Sequence, residues 1–411
     1  MSTLKYTSGD PKPAVIFSGG QEIVSLAILE ELASYNVPLI VFALGRHSFL
    51  RGLQPVKGYC RLDWPPVSVE TTLNQIITFL HNLGAAAQDR WPVYATEDTS
   101  LRFVIENRTR LDEFLCISNS SLLDSGGLDK AELFTYLNKN QEIANCIAPT
   151  AVLEHPEDFI LARERIGADL VVKPALKPLS GDLNIEGGAK IFIPSPNESE
   201  RDVLNTLRRA WPISTKWIAQ KRLKYHPKGE PVWWGVRLES GDTIGATAVD
   251  YRFYPQNGGT AFWVGMEKID GIEDAAVNIL EAAGLTGIFE VEFLLDDDQA
   301  WKMIEINPRP WLQVALSARA GLPLVYYDYC DRLNLDLPTV RAAKQNTTWV
   351  NVERLFLSAF SKDYASRRKD LAGALRILRK ADCVAVYDSP FHLVKIRYLS
   401  RMVRALFNKI F

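Results

Sequence analysis

The chain has 411 residues, enough for two or three domains, and its 47% apolar and 23% charged content is that of an ordinary soluble globular protein. A net charge of −2 supplies no overall attraction to nucleic acid or to an anionic surface. Five scattered cysteines (Cys60, Cys116, Cys146, Cys330, Cys383), with no CxxC pair, speak for a reducing cytoplasm rather than a disulfide framework or a zinc site.

The opening "MSTLKYTSGDPKP" lacks the apolar core of a signal peptide, and no apolar run approaches the ~18–20 residues of a spanning helix. The expectation is a cytoplasmic protein, at most peripheral to the inner face of the membrane. Residues 13–117 then alternate strand and helix patterns: "PAVIF", an amphipathic helix to about Tyr35, "VPLIVFAL", a helix over Glu70–Leu83, "WPVYAT", a helix near Thr99–Asn107, and "EFLCIS". Short apolar runs between helical patterns predict βαβ units and a Rossmann-like parallel sheet. The "SGG" turn after the first strand lacks a third glycine and a ribose-binding acid at the second strand's end, so it reads as a tight strand-to-helix turn.

Asp129 is an N-cap candidate for a helix that ends before "IAPT". From Asp169 the pattern changes to short strands with hairpin turns: "DLVVKPAL", "AKIFIPS", "WIAQKRL", "VWWGVRLESGDTIGATAVDY" and "GIFEVEFLLDDDQAWKMIEINP". Helices are expected near Ser199–Ala210 and Ile272–Ala283. The predicted organisation is an α/β domain (1–125), an α+β domain (126–335, in two parts, 126–215 and 216–335), and a mostly helical basic segment (336–411).

Strand alternation puts Glu290 and Glu292 on one face of one strand, and Glu305, Asn307 and Arg309 on one face of the next. A short "DDDQ" turn brings Glu292, Glu305 and Asn307 together. Two carboxylates and an amide oxygen form a hard, all-oxygen site suited to Mg²⁺ with substrate phosphates, and Arg309 would stand beside a phosphoryl group. The alternative is an exposed strand face with solvated charges. Upstream, Lys173 closes a β-branched run where an inward lysine needs an anion. The following polar loop holds Gly187 and Gly188, whose N–H groups suit phosphates. A strand-end surface lysine and a long hairpin are the plainer readings of that segment.

The order of these parts, Asp129-Lys130, Lys173-Pro174, a Gly-containing loop, "IAQKRL" and finally Glu292 with "EINPR", resembles the ATP-grasp superfamily of carboxylate–amine ligases, over about Val15–Tyr329. "MIEINPRPW…ALSARAGLPLVYYDY" and "RFYPQNGGTAFWVGM" are similar to the D-aspartate ligase-like subgroup. The resemblance implies a pre-ATP-grasp domain followed by an ATP-grasp fold. It also implies two phosphate-binding lysines (Lys130, Lys173), a lid bearing Gly187 and Gly188, and an adenine hinge at Gln220, Lys221 and Leu223. Glu292, Glu305 and Asn307 would be metal ligands, and Arg309 and Arg252 catalytic arginines. The implied cofactors are ATP and Mg²⁺, with Mn²⁺ an alternative. The hinge departs from the family pattern, since Lys221 and Arg222 follow Gln220 and the next glycine is Gly229. That leaves the ribose carboxylate unassigned, with Glu230 a candidate.

The chemistry implied is phosphorylation of a carboxylate by ATP and attack of an amine on the acyl-phosphate, which requires no protein nucleophile. The five histidines are isolated, and no Ser-His-Asp or Cys-His set is evident. The competing class is a catalytically inactive ATP-binding scaffold or regulator. An oxidoreductase using the N-terminal sheet is more distant.

From Thr339 onward there are 15 Lys/Arg against 5 Asp/Glu, while the preceding residues are net acidic. "KIRYLSRMVRALFNKIF" (395–411) has helical periodicity. Ile396, Leu399, Met402, Val403, Leu406, Phe407 and Ile410 fall on one side, and Arg397, Arg401, Arg404 and Lys409 on the other. Such a helix packs on its own core or lies on an anionic membrane, where a cell-envelope precursor would be a substrate candidate. Nucleic acid is not expected as a partner; an oligomer is compatible with the sequence.

Overall fold

The structure is a computed structural model. It describes residues 11–400 apart from 46–47, 87–88, 119–120, 125, 177–190, 257 and 361–366. The first unit contains β1 (Ala14–Ser18), α1 (Glu22–Ser34), β2 (Leu39–Leu44), β3 (Val56–Leu62), α2 (Val69–Asn82), β4 (Trp91–Ala95), α3 (Asp98–Glu106), α4 (Arg108–Leu111) and β5 (Leu115–Cys116). Its five strands form a parallel sheet in the order β3-β2-β1-β4-β5. β1, β2 and β4 are buried along their whole length, which is why they read as unbroken apolar runs. β3 has no counterpart in the sequence reading, because its "VKGYCRL" lies at the sheet edge with a mixed polar pattern.

The helix expected to be amphipathic, α1, is instead buried around most of its circumference. One side lies on β1 and the other meets two helices of the C-terminal half, α10 and α11 below. The "SGG" turn before it is a tight structural turn. Gly19 N–H donates to Thr96 Oγ1 at 3.2 Å, and Gly20 N–H donates to Glu97 Oε2 at 2.9 Å. A Cβ on Gly19 would lie 2.2 Å from the Glu97 carboxylate, so a larger residue there would displace that side chain from the turn.

The second unit runs through α5 (Ser121–Asp124), α6 (Lys130–Leu137), β6 (Thr150–Leu153), α7 (Asp158–Ile166), β7 (Leu170–Pro174), α8 (Glu200–Ala210) and β8 (Trp217–Lys221). Its antiparallel sheet has the order β6-β8-β7, and Leu153, Leu170, Val172, Trp217 and Ala219 pack against Phe159, Val203 and Leu207 of the helices. Of the strand expected over "AKIFIPS", the described residues contain a single bridge, between Phe192 and Val172.

The third unit comprises β9 (Glu230–Arg237), β10 (Thr243–Tyr254), β11 (Thr260–Met266), α9 (Ile272–Ala282), β12 (Gly287–Leu295), β13 (Trp301–Asn307), α10 (Ala315–Arg319), α11 (Leu324–Arg332), β14 (Thr348–Val350), α12 (Val352–Phe360), α13 (Arg367–Lys380) and β15 (Cys383–Val384). The sheet order is β13-β12-β9-β10-β11-β14-β15. Both hairpin turns expected from "ESGD" and "DDDQ" join antiparallel neighbours. Phe289, Val291 and Phe293 face Ile272, Ala276, Ile279 and Leu280 of α9, so the alternate residues of β12 face the other way. The segment after 336 is helical in α12, α13 and residues 392–400. It also extends the sheet by β14 and β15, which the sequence reading lacked.

Candidate active site

The open face of the seven-stranded sheet looks across a cleft of about 300 Å³ toward β7 and β8. Register determines what it presents. Glu290 pairs with Asn307 and with Trp234, Glu292 with Glu305, and Glu230 with Asp250. Asn307 Nδ2 donates to Glu290 Oε2 at 2.9 Å and to Glu292 Oε1 at 3.0 Å, while Trp234 Nε1 donates to Glu290 Oε1 at 3.1 Å.

Two lysines arrive from the second unit. Lys130 opens α6, whose first turn is capped by the Asp129 carboxylate and docked by the Lys130 N–H on Ala175 O at 2.9 Å. Its Nζ lies 3.1 Å from Glu305 Oε1. Lys173, in β7, donates to Glu305 Oε2 and to Ile304 O, both at 3.2 Å. The first unit contributes Asp98, in the opening turn of α3, whose carboxylate pairs with Arg309 Nε. Arg309 is 7% exposed, and its Nη2 donates to Asn307 Oδ1 at 3.4 Å. All three units therefore meet at one place.

Burial drives the electrostatics. It pushes Glu290 up to about 8, helped by Glu292 and opposed by Arg309, Trp234 and Asn307. Burial and Glu305 raise Glu292. Burial, with neighbouring carboxylates, lifts Glu230 and Asp250 well above the usual range. Burial opposes the charge of Lys130, yet Glu305 and Asp98 overcome it and hold the ammonium above its usual range. The face thus holds more carboxyl groups than its cations can pair, burial favours the protonated form of several of them, and the Asp250 Oδ1 atom has no hydrogen-bond partner. Hard oxygen donors in excess of nearby cations fit an oxygen-loving divalent ion that completes its shell with phosphate and water. Among the described residues no three His, Cys, Asp or Glu side chains close a metal cage by themselves.

Gln220, Lys221 and Leu223, expected as the adenine hinge, line the cleft. The Gln220 amide donates to Thr150 Oγ1 at 3.0 Å, and Lys221 Nζ to Asp297 Oδ2 at 3.0 Å, which ties the end of β8 to the β12–β13 turn. With Lys224 also bound to it, Asp297 is held down at about 2. Leu223 packs with Leu294, Ala148 and Ile304 as an apolar wall.

The structure brings Lys130, Lys173, Gln220, Lys221, Leu223, Glu292, Glu305, Asn307 and Arg309 to this cleft. It does not bring Arg252, which is exposed and stacks over Trp263 at 5.9 Å. A β-bulge between Asp250 and Arg252 inverts the alternation, leaving Asp250 and Phe253 on the cleft side. Gly187 and Gly188 lie outside the described residues. Sequence reasoning missed Asp250, Asp98, Gln21 and Gln313; the acid inside the apolar run "ATAVDY" is the one local signal among them.

Residues 263–330 match the family described as the carbamoyl-phosphate synthase L chain, ATP binding domain. No curated protein matches the chain. Three solved structures illustrate the fold. N5-carboxyaminoimidazole ribonucleotide synthetase from Thermus thermophilus is 14% identical, with a TM-score of 0.61 over 92% of this chain and 99% of that one. L-amino acid ligase from Bacillus licheniformis is 14% identical, with a TM-score of 0.57 over 79% and 75%. The biotin carboxylase domain of Hydrogenobacter thermophilus 2-oxoglutarate carboxylase, in complex with MgADP, ADP and bicarbonate, is 14% identical, with a TM-score of 0.59 over 82% and 73%. The fold is the expected one: a parallel sheet in front of an ATP-grasp fold.

Proposed function

We propose that the chain is an ADP-forming ligase that uses ATP and Mg²⁺ to join a carboxylate to an amine through an acyl-phosphate. One observation carries this reading: Lys130, Lys173 and Arg309 converge on Glu305 and Asn307 in a single cleft. The matched family segment, which contains Glu292, Glu305, Asn307 and Arg309, supports it. So do the ligase and the MgADP-bound carboxylase domain among the structural neighbours. The "EINPR" and "ARAGLPLVYYDY" motifs support the D-aspartate ligase-like subgroup.

In this reading Lys130 and Lys173 bind phosphate oxygens, and the Leu223–Leu294–Ile304 wall receives the adenine. Glu230, lining the same cleft, is the carboxylate available to ribose hydroxyls. Glu292, Glu305 and Asn307 would hold the divalent ion, which when bound neutralises phosphate charge. A substrate carboxylate oxygen attacks the γ-phosphorus and ADP leaves. The amine then attacks the acyl carbon, phosphate departs with the bonding electrons, and the nitrogen loses a proton. Arg309 stabilises the negative charge on the phosphoryl group in transfer.

Incubation with ATP, Mg²⁺ and a pool of amino acids should release ADP and phosphate only when an amine is present. Glu305→Gln should lower that turnover by ~10²–10³-fold. ATP binding without amine-dependent ADP release under any condition would sink the ligase reading.

A further inference from the structure

Helical residues 392–400 divide their side chains between two environments. Val394 and Tyr398 are buried, and the Tyr398 hydroxyl donates to Glu353 Oε2 at 3.2 Å. Arg397 donates to the carbonyls of Phe49 and Arg51 at 2.7 and 2.6 Å. That side is docked on the protein. Leu393, Ile396 and Leu399, three residues apart, are 43%, 66% and 47% exposed. Single exposed apolar side chains are ordinary surface. Here three share one side of a helix whose other side is already engaged.

Charge selects the occupant. From Ser389 to Phe411 the sequence contains no Asp or Glu and carries Lys395, Arg397, Arg401, Arg404 and Lys409. The apolar spacing continues as Met402, Val403, Leu406, Phe407 and Ile410, which lie outside the described residues. We propose that this side of the helix is a membrane-contact surface, seated on a bilayer of anionic lipid. Leu393, Ile396 and Leu399 enter the boundary between headgroups and acyl chains, and Lys395, which helical spacing puts on the flank of that side, meets lipid phosphates. No helix among the described residues is long and apolar enough to cross a membrane, so the contact is interfacial. The proposal is independent of the reaction assigned to the cleft.

Co-sedimentation of the full chain with vesicles tests it. The protein should pellet with phosphatidylcholine–phosphatidylglycerol vesicles and stay in the supernatant with phosphatidylcholine alone. The bound fraction should fall as salt is raised. Ile396→Asp/Leu399→Asp should weaken binding by about tenfold or more, with ATP turnover and the unfolding midpoint unchanged, since both side chains are exposed. Absence of binding to anionic vesicles overturns the proposal, and so does binding that the double substitution leaves intact. A dimer in light scattering that the same substitution dissociates would assign the surface to a second copy, and would overturn it too.

Discussion

Arg309 is held from two sides, by Asn307 at the end of β13 two residues before it and by Asp98 from the N-terminal sheet unit. A buried guanidinium with a fixed partner is pre-aimed, which matters more for a transferring phosphoryl group than for a bound ground state. Asp98→Asn keeps the shape and removes the charge. The expected result is a fall in kcat of ~10–100-fold with little change in KM for ATP, and partial recovery in Asp98→Glu. Normal kcat for the folded fraction, with only a lower unfolding midpoint, would make Asp98 purely structural. Glu305, Asn307 and Arg309 are legible in the sequence because alternation in a strand is local. Asp98 is not, because 211 residues separate it from its partner. Asp250 lines the cleft where Arg252 was expected for a third reason: one inserted residue in β10 reverses which side faces the cleft.

Among the elements, β9 is the axis of the site, with β12 on one side and β10 on the other. Trp233 and Trp234 point to opposite faces of it, one toward Phe289 and the other toward Trp311. Gly235 lets the neighbouring backbone close in, since an added Cβ would sit 2.5 Å from Ile244 O and 2.6 Å from Phe289 Cζ. The Ile244 carbonyl is strand backbone and cannot retreat without shifting β10. Gly235→Ala should therefore cost about 1–3 kcal/mol, read as a lower denaturant midpoint. An unchanged midpoint would mean that β9 has slack it does not display. The apolar strands β1, β2 and β12 were readable from composition and period. β3 was not, because at the sheet edge its pattern is mixed, and β14 and β15 were not, because at three and two residues they draw their identity from the strands they pair with.

At the scale of the molecule, the N-terminal sheet unit is fastened to the C-terminal half by groups far apart in sequence. Glu31 Oε1 accepts from Tyr326 N–H at 2.8 Å, and Tyr94 OH donates to Val325 O at 3.1 Å. Arg332 Nη1 donates to Cys116 O at 3.1 Å, and the Tyr35 and Tyr326 rings stack at 3.5 Å. Burial pushes Glu31 up to about 8, against the pull of the Tyr326 and Val325 N–H groups. Burial likewise pushes Glu30 to about 7, partly offset by Ser389. Both acids keep their proton in the folded chain and lose it on unfolding once the pH exceeds the ordinary carboxylate range. Stability from Glu31 is thus fully present below about pH 4.5 and is lost as pH rises toward 8. Chemical denaturation at pH 5 and pH 8 should show lower stability at pH 8, and Glu31→Gln should shrink that difference. An identical pH slope in the variant would count against this account. The parallel-sheet unit, the antiparallel strands and their order along the chain were legible because each has its own period. The packing of α1 between two units was not, since an apolar helix does not name its second neighbour.

Glu97 and Asp98 are consecutive residues with separate duties: the first sits on the Gly19–Gly20 turn, the second grips Arg309. The peptide between them is a yoke. A shift of the turn after β1 reaches the arginine through the Glu97 carboxylate, one peptide link and the Asp98 carboxylate. Chimeras that exchange the N-terminal unit for that of another protein should therefore preserve the glycine turn and both acids as one cassette. Transplanting either half alone would leave the arginine tied to a mispositioned anchor.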